Sequence, residues 1–255
     1  MNNITFYPFG DTAALRFAAK YLYDRGLDVT EAPSPRVTHL ILPVPGFDAD
    51  GNIRDGGCLE QILPQLPVDA TILGGNLQHP ALAGRKTLDL LQDEQYLAEN
   101  AAITADCAVR IAGKSLPVVF DRCPFLIIGW GRIGKCLAFK LKALGADVIV
   151  AARKEYDRAA IVSLGFRAVD TGKLHSVLPR CRVIFNTAPS PILTAEQAAS
   201  CHNSCVKIDL ASKQGIFGKD VIWARGLPNK IAPESSGALI ARTILRLIAE
   251  KEALL

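Results

Sequence analysis

No apolar run in this 255-residue chain reaches the roughly 18 residues that a membrane-spanning helix requires. The first residues, MNNITFYPFGD, lack the charged region and the cleavable apolar stretch of a secretory signal. We therefore expect a cytoplasmic protein that does not enter membranes. The net charge is only +4, and the basic residues form no block, so the composition gives no reason to expect a nucleic-acid partner.

The seven cysteines contain no C-x-x-C pair, and an odd number is poorly suited to a framework of disulfides. Cys201, His202 and Cys205 stand close together in the sequence, but such a group offers three metal ligands at most. We predict reduced thiols and no metal site. With 49% hydrophobic residues, the chain can build a substantial core, and its length allows one or two domains.

A glycine motif between two apolar strands is the most informative stretch of the sequence. An apolar run leads into Gly129, Gly131 and Gly134; helical spacing then stops at Gly145, and a second apolar run ends at Ala151. Strand, G-x-G-x-x-G, helix and strand in about 30 residues form a dinucleotide-binding fingerprint, although a helix–turn contact that merely favours glycine is the alternative. The cofactor-binding residues predicted in this turn are Gly129, Trp130, Gly131, Arg132, Ile133 and Gly134.

The end of the second strand indicates which cofactor binds. An NAD site usually has Asp or Glu there, about 20 residues beyond the glycines, to bind the ribose 2′-hydroxyl. This chain has Ala151 and Ala152 followed by Arg153 and Lys154, with no carboxylate among them. Two cations suit a 2′-phosphate, so the sequence favours NADP; a solvated surface pair is the alternative interpretation.

Strands alternate with helices along the chain, which indicates parallel sheets joined by right-handed crossovers. We predict an α/β fold of two Rossmann-like domains, with doubly wound parallel sheets and a cleft between them. The substrate-side domain is predicted over residues 1–115 and the NADP-binding domain over 116–255, with a C-terminal helix over 235–253 that can pack back on the first domain. A helix from about Thr104 is the predicted connector.

Polar residues follow two of the predicted strands in the second domain. Asn186, Thr187 and Ala188 follow one strand, and Ser212 and Lys213 follow the next. Ligands of open α/β sheets lie beyond the carboxyl ends of the strands, so these residues are predicted to line the site. Asn186, Thr187 and Ala188 are predicted near the cofactor, the first two at its nicotinamide ribose, and Lys213 is predicted to pair with a substrate carboxylate.

Several further segments occur in an order found in one known family. They are ILPV at Ile41–Val44, N-x-x-x-T at Asn100 and Thr104, FNTAPSPILT from Phe185, IDLASKQG from Ile208, and GLP…IAP…SG from Gly226 to Gly237. Together with the glycine unit they resemble the A-type subunit of dipicolinate synthase, and they span most of the chain.

This resemblance implies an architecture like that of the D-2-hydroxyacid dehydrogenases and the use of NADP(H). It implies an oxidoreductase that oxidises dihydrodipicolinate, a small dicarboxylate, to dipicolinate, the calcium chelator of the spore core made in sporulation. The implied partner is a second, flavoprotein-like subunit, and a homodimer is consistent with the family. The implied catalytic residues are Lys213, Ser212, Thr104 and Asn100.

The chain departs from the family pattern at three positions and is shorter, mainly in the first domain. Gln214 stands where proline is usual, Asn229 where glycine is usual and Glu234 where lysine is usual. These changes leave a non-catalytic NADP-binding subunit open as an alternative. The likeness in architecture leaves an NADP-dependent 2-hydroxyacid dehydrogenase open as another. The dehydrogenase would need a late acid/base histidine, whereas the histidines of this chain are His39, His79, His175 and His202.

Overall fold

The computed structural model describes residues 4–54 and 56–253, which fall into two units. The first unit runs to Asn100 and resumes at Pro228, whereas the second comprises Ala101–Leu227. The boundary predicted at residues 115 and 116 differs from this division because one helix carries the chain from the first unit into the second. The second half of that helix contacts the second unit, where Asp106 pairs with Lys140 at 2.8 Å.

The first unit contains five short parallel strands in the order β2-β1-β3-β4-β5, a flavodoxin-like order. The elements up to the crossing helix are β1 (Thr5–Pro8), α1 (Ala13–Tyr23), β2 (Asp28–Val29), β3 (His39–Ile41), α2 (Leu59–Ile62), β4 (Thr71–Gly74), β5 (Thr87–Asp89) and α3 (Glu94–Ser115). Thr12 caps α1 by accepting from the Leu15 N–H at 3.2 Å, and Gly26, with φ of +77°, follows the end of the helix.

The second unit contains six parallel strands in the order β11-β10-β9-β6-β7-β8. Its elements are β6 (Pro124–Ile128), α4 (Arg132–Ala143), β7 (Asp147–Ala152), α5 (Glu155–Ser163), β8 (Arg167–Asp170), β9 (Val183–Asn186), α6 (Ala195–Ala199), β10 (Val206–Asp209) and β11 (Val221–Trp223). Counted within the unit from β6, this is the Rossmann order 3-2-1-4-5-6 reversed, with its switch point between β6 and β9. The predicted α/β class with two parallel sheets is confirmed.

The α3 helix begins ten residues earlier than the sequence prediction. Asp93 accepts a hydrogen bond from the Tyr96 N–H at 2.7 Å, and the Tyr96 side chain is buried. The expectation that the helix starts near Thr104 is therefore wrong. The polar residues from Glu94 onward concealed a helix that is capped by a carboxylate and held by one buried aromatic side chain.

The chain returns to the first unit through α7 (Leu227–Ile231) and α8 (Pro233–Glu252). The α8 helix packs against α1 at Gly237, where a Cβ atom would stand 2.5 Å from the Ala14 carbonyl oxygen and 2.7 Å from the Ala18 nitrogen. The absence of a side chain at Gly237 allows the two helices to approach this closely. This packing contributes to the grouping of the segment from Pro228 onward with the first unit.

Candidate functional site

The glycine-rich turn joins β6 directly to α4. Gly129 has φ of +109°, and its N–H donates to the Ala151 carbonyl oxygen at 2.9 Å. A Cβ atom on Gly129 would stand 2.4 Å from Thr187 Oγ1, and one on Gly134 would stand 2.1 Å from the Gly129 carbonyl oxygen. The fold itself therefore requires both glycines, the first for the turn and the second for the close approach of the helix.

Gly131 is different because its missing side chain faces open space in the described part of the chain. A Cβ atom there would meet no heavy atom within 4 Å, and its φ of −80° suits any residue. Packing therefore does not explain this glycine, whereas a bare backbone at the start of α4 suits the approach of a pyrophosphate. The N–H groups and the dipole of the helix N-terminus favour an anion at the same place.

The other three predicted residues of the turn differ in exposure. Trp130 is half-buried beside Phe166, with ring centroids 6.1 Å apart, and Lys135 Nζ lies 5.7 Å from the Trp130 ring centroid. Arg132 is exposed in the first turn of α4, and Ile133 is half-buried. Arg132 and Lys135 therefore place two positive charges near the N-terminus of α4, which strengthens the positive electrostatic potential at the turn.

The predicted phosphate-reading pair, Arg153 and Lys154, follows the end of β7 and is exposed. Lys154 Nζ donates to the Tyr156 hydroxyl at 3.0 Å, and this bond holds the pKa of Lys154 above its usual value. Positions 151–154 carry no carboxylate that would bind a ribose 2′-hydroxyl in place of a phosphate. Charge and exposure at this strand end fit an added phosphate.

Arg158, which sequence reasoning missed, braces the same strand end. Its guanidinium donates to the carbonyl oxygens of Ala152 and Arg153 at 3.0 and 2.7 Å, and it pairs with Asp170 at 2.7 Å. The brace links the end of β7 to the end of β8. It fixes the backbone that carries Arg153 while its own charge is occupied within the protein.

The end of β9 is shaped from inside by a buried amide. Asn186 Nδ2 donates to Asp209 Oδ1 at 2.9 Å and to the Ala188 carbonyl oxygen at 3.1 Å, and its Oδ1 accepts from the Ala188 N–H at 3.1 Å. Asn186 has no exposed surface, which differs from the direct ribose contact predicted for it. Thr187, which donates to the Ile128 carbonyl oxygen at 3.0 Å, and Ala188 are half-buried.

Asp209 is a functional candidate that the sequence prediction omitted. Its buried carboxylate accepts four hydrogen bonds: from Asn186 and the Ala211 N–H on Oδ1, and from the Gly215 and Ile216 N–H groups on Oδ2. The distances are 2.7 to 3.0 Å. Such bonds are what a carboxylate needs when it is buried without a cation. The available signal was an acidic residue inside the apolar segment IDL.

Ser212 and Lys213 project from the loop that Asp209 holds. Both side chains are exposed, and within the described residues neither forms a hydrogen bond or an ion pair. The loop is fixed around them because Trp223 Nε1 donates to the Ala211 carbonyl oxygen at 3.1 Å and Gln214 bonds back to the loop backbone at 2.9 Å. An uncommitted cation on a rigid loop is suited to bind an anionic ligand.

Asn100 and Thr104 lie on one face of α3, four residues apart. Thr104 is buried and Asn100 is half-buried. They fall on opposite sides of the division between the two units, and their role toward a substrate stays a prediction.

Two of the three residues that depart from the family pattern, Asn229 and Glu234, have structural roles in the first unit. Asn229 Oδ1 accepts from the Ala14 N–H at 2.8 Å, which satisfies one of the free donors at the start of α1. Glu234 is exposed in the first turn of α8, where a carboxylate complements the helix dipole. Neither residue therefore requires a ligand to explain it.

All seven cysteines are free. In the part of the chain that the structure describes, no group of three or more His, Cys, Asp or Glu side chains is arranged to hold a metal ion. No helix among the described residues has both the length and the apolar character needed to cross a membrane.

Comparison with known proteins finds similarity to a dehydrogenase family and to one synthase subunit. Residues 118–204 match the family described as D-isomer specific 2-hydroxyacid dehydrogenase, NAD binding domain. The chain is 26% identical to the A-type subunit of dipicolinate synthase from Bacillus subtilis, over 89% of this chain and 82% of that protein. The predicted resemblance is confirmed.

Two solved structures share the fold along the whole chain. The A-type subunit of dipicolinate synthase from Bacillus halodurans has a TM-score of 0.85 at 22% identity, and the match covers 97% of this chain and 98% of that one. The corresponding subunit from Bacillus subtilis has a TM-score of 0.83 at 22% identity, with coverage of 100% and 99%. The segment that matches the dehydrogenase family contains the glycine turn, β7 and β9, so an NAD(P)-binding domain is present.

Proposed function

We propose that this protein is an NADP-dependent oxidoreductase of the same type as the A-type subunit of dipicolinate synthase, and that it oxidises dihydrodipicolinate to dipicolinate. The observation that carries the proposal is an open glycine turn and an uncommitted lysine, Lys213, at the carboxyl ends of one sheet. The chain that carries them is similar along most of its length to that subunit from Bacillus subtilis.

The glycine turn and the end of β7 hold the cofactor in this proposal. Backbone N–H groups of the turn beyond Gly129 receive the pyrophosphate, with Gly131 at the point of closest approach. Arg153 and Lys154 bind the 2′-phosphate, and the brace from Arg158 keeps their backbone in place. Thr187 and Ala188 form the accessible wall beside the nicotinamide end, supported from behind by Asn186.

The chain's own residues act by positioning the substrate. Lys213 pairs with one carboxylate of dihydrodipicolinate, and Ser212 donates a hydrogen bond to it; Asn100 and Thr104 are further candidates to bind the substrate. Bound NADP supplies the hydride acceptor. The balanced reaction is dihydrodipicolinate plus NADP⁺ giving dipicolinate, NADPH and a proton. Because the product ring is aromatic, positioning of the ring carbon suffices and no strong enzymic base is required.

The test is to mix the full-length protein, NADP⁺ and freshly generated dihydrodipicolinate and to follow NADPH absorbance. The expected result is NADPH formation that Lys213→Met weakens mainly through KM, by about tenfold, because a charged hydrogen bond to the substrate is lost. Lys173→Met, at an exposed lysine outside the proposed site, is the matched control and leaves KM unchanged.

Two results would refute the proposal and favour the alternatives. Cofactor binding without turnover, alone or with a second subunit, supports a non-catalytic NADP-binding subunit. Reduction of 2-keto acids by NADPH supports a 2-hydroxyacid dehydrogenase, whose cofactor domain matches residues 118–204. Against the latter, His202 precedes β10 and so lies at the amino edge of the sheet, away from the strand ends that carry the proposed site.

The similar protein from Bacillus subtilis is named as one subunit of a synthase, and this supports the proposal that the present protein also has a partner subunit. We infer a second, flavoprotein-like subunit, with a homodimer as the self-association to test, in the cytoplasm of a sporulating cell. Co-purification of the two co-expressed subunits, followed by light scattering, tests the assembly. An isolated monomer under those conditions contradicts it.

A further inference from the structure

A cavity of about 460 Å³ lies in the second unit, at the edge of the sheet opposite to the proposed cofactor site. It is formed by α6 and by the segments that enter β10 and β11, which is the amino edge of those strands. Its lining combines small apolar residues of α6 with a thiol and several charged or polar groups: Cys201, His202, Asn203, Lys207, Lys219 and Asp220. The proposed oxidation uses none of these residues.

Two thiols lie in the turn between α6 and β10, beside this cavity. Cys201 lines it, and Cys205 follows four residues later, with its N–H donating to the His202 carbonyl oxygen at 2.8 Å. Both cysteines are only 7% exposed, so the cavity is the route by which a reagent reaches Cys201. The Cys201 thiol donates to the Gln197 carbonyl oxygen at 3.6 Å, and the Cys205 thiol donates to the Val206 carbonyl oxygen at 3.9 Å. The neighbouring Cys205 thiol and the charge of Lys207 lower the pKa of Cys201, although burial acts in the opposite direction.

The surrounding groups favour a negatively charged reagent. Lys207 and Lys219 bring two cations to the cavity against the single carboxylate of Asp220. Lys207 also donates to the Cys205 carbonyl oxygen at 3.3 Å, which fixes its charge close to the two thiols. A cation beside a thiol stabilises the thiolate, the form that reacts with disulfides.

We propose that Cys201 and Cys205 form a thiol–disulfide exchange site for small disulfides that carry carboxylates. The Cys201 thiolate attacks one sulfur of the disulfide RSSR, which forms a mixed disulfide and expels RS⁻. The Cys205 thiol then loses its proton and attacks the Cys201 sulfur, expels the second RS⁻ and closes a Cys201–Cys205 disulfide. In total, the protein dithiol is oxidised by two electrons and RSSR is reduced to two RSH.

The test uses 5,5′-dithiobis(2-nitrobenzoate), a dianionic disulfide, on the full chain with the exposed Cys58 and half-buried Cys136 replaced by serine. The expected result is rapid release of two thiolates per chain, no stable adduct, and a Cys201–Cys205 disulfide in the peptide map. Cys205→Ser releases one thiolate and retains the adduct on Cys201. Cys201→Ser slows the fast phase by about tenfold or more because the activated thiolate is gone.

Charge selectivity provides a second measurement that does not depend on removing a cysteine. Lys219→Gln should slow the dianionic reagent about twofold to fivefold and leave the neutral 2,2′-dithiodipyridine unaffected, because only the former is attracted by the cation. Lys173→Gln is the matched control.

Three outcomes would overturn the proposal. They are a fast phase that survives in Cys201→Ser, a stable adduct on Cys201 while Cys205 is present, and a disulfide that involves Cys181 instead. Thermal melting of each variant separates these outcomes from misfolding. The peptide map of the Cys58→Ser, Cys136→Ser protein tests the proposed disulfide even if the further variants do not fold, because it needs no substitution at Cys201 or Cys205.

Discussion

At the scale of single residues, the three positions of the turn require glycine for different physical reasons. Gly134 is required because a Cβ atom would overlap the Gly129 backbone, whereas Gly131 faces open space. We therefore expect Gly131→Ala to leave stability within about 0.5 kcal/mol and to weaken NADP binding about tenfold, since the added methyl group would obstruct the pyrophosphate. Calorimetric titration and thermal melting measure the two effects.

Gly134→Ala is the contrasting variant at the same turn. It should cost about 1–3 kcal/mol of stability because α4 must move away from β6. If both substitutions lowered the melting temperature equally and left affinity per folded molecule unchanged, the glycine at 131 would have a structural role only.

Cofactor choice is also decided by single residues. We expect Arg153→Ala to raise the Kd for NADP about tenfold while the Kd for NAD changes little, because only NADP presents a 2′-phosphate. Arg180→Ala, at an exposed arginine in the same unit, is the matched control. Equal losses for both cofactors would refute the phosphate-reading role.

The sequence yields predictions for residues whose surroundings are set by neighbours in the chain. The glycine spacing and the cations after β7 are local patterns of this kind. It missed Asp209 and Arg158, whose importance depends on partners brought together by folding: the 186 and 215 loops for Asp209, and Asp170 for Arg158. The burial of Asn186 was also not visible in the sequence, because it depends on the hydrogen bond to Asp209 that folding creates. The sequence therefore predicted a contact between Asn186 and the ribose.

At the scale of elements, the long patterns were predicted, whereas two of the shortest strands were not. The strand β6 and the helices α4 and α8 carry many apolar positions, so periodicity finds them. Strands β2 and β5 have two and three residues, too few for a period, and pairing with neighbouring strands is what defines them. The start of α3 depends on Asp93, which is held by Arg246 from α8 at 2.6 Å.

That ion pair gives a prediction with a defined pH dependence. Burial would raise the pKa of Asp93, but hydrogen bonds from Arg246 and from the Tyr96 N–H hold it below its usual value. A carboxyl with a lowered pKa stabilises the fold above its unfolded-state pKa, and this is lost as pH falls through the folded-state value. Arg246→Gln should therefore cost about 1–2 kcal/mol near pH 7 and little in acid.

Denaturant unfolding from pH 7 down to acid measures this difference. Arg242→Gln is the matched control, because it breaks a more exposed pair with Glu99 and should cost about 0.5 kcal/mol or less. A loss for Arg246→Gln that persisted unchanged in acid would mean that packing of its side chain, and not the charge of Asp93, is responsible.

At the scale of the whole molecule, alternating strands and helices were enough to predict two parallel sheets. They were not enough to predict the strand orders, flavodoxin-like in one unit and Rossmann-like in the other, because order depends on which edges pair. The segment from Pro228 onward groups with the first unit, where Gly237 allows α8 to lie against α1 and Arg246 pairs with Asp93. A periodic pattern does not reveal which partner a helix has.

This organisation predicts that the two units can be perturbed separately. Gly237→Ala places a Cβ atom against the α1 backbone and should destabilise the first unit by about 1–3 kcal/mol. NADP binds the second unit in our proposal, so it should raise the transition of that unit only, by an amount set by its concentration relative to Kd. Calorimetric melting of both proteins with and without NADP tests this. We expect two transitions because each unit has its own sheet and its own buried helices. If Gly237→Ala and NADP both shifted a single common transition, the two cores would not unfold separately.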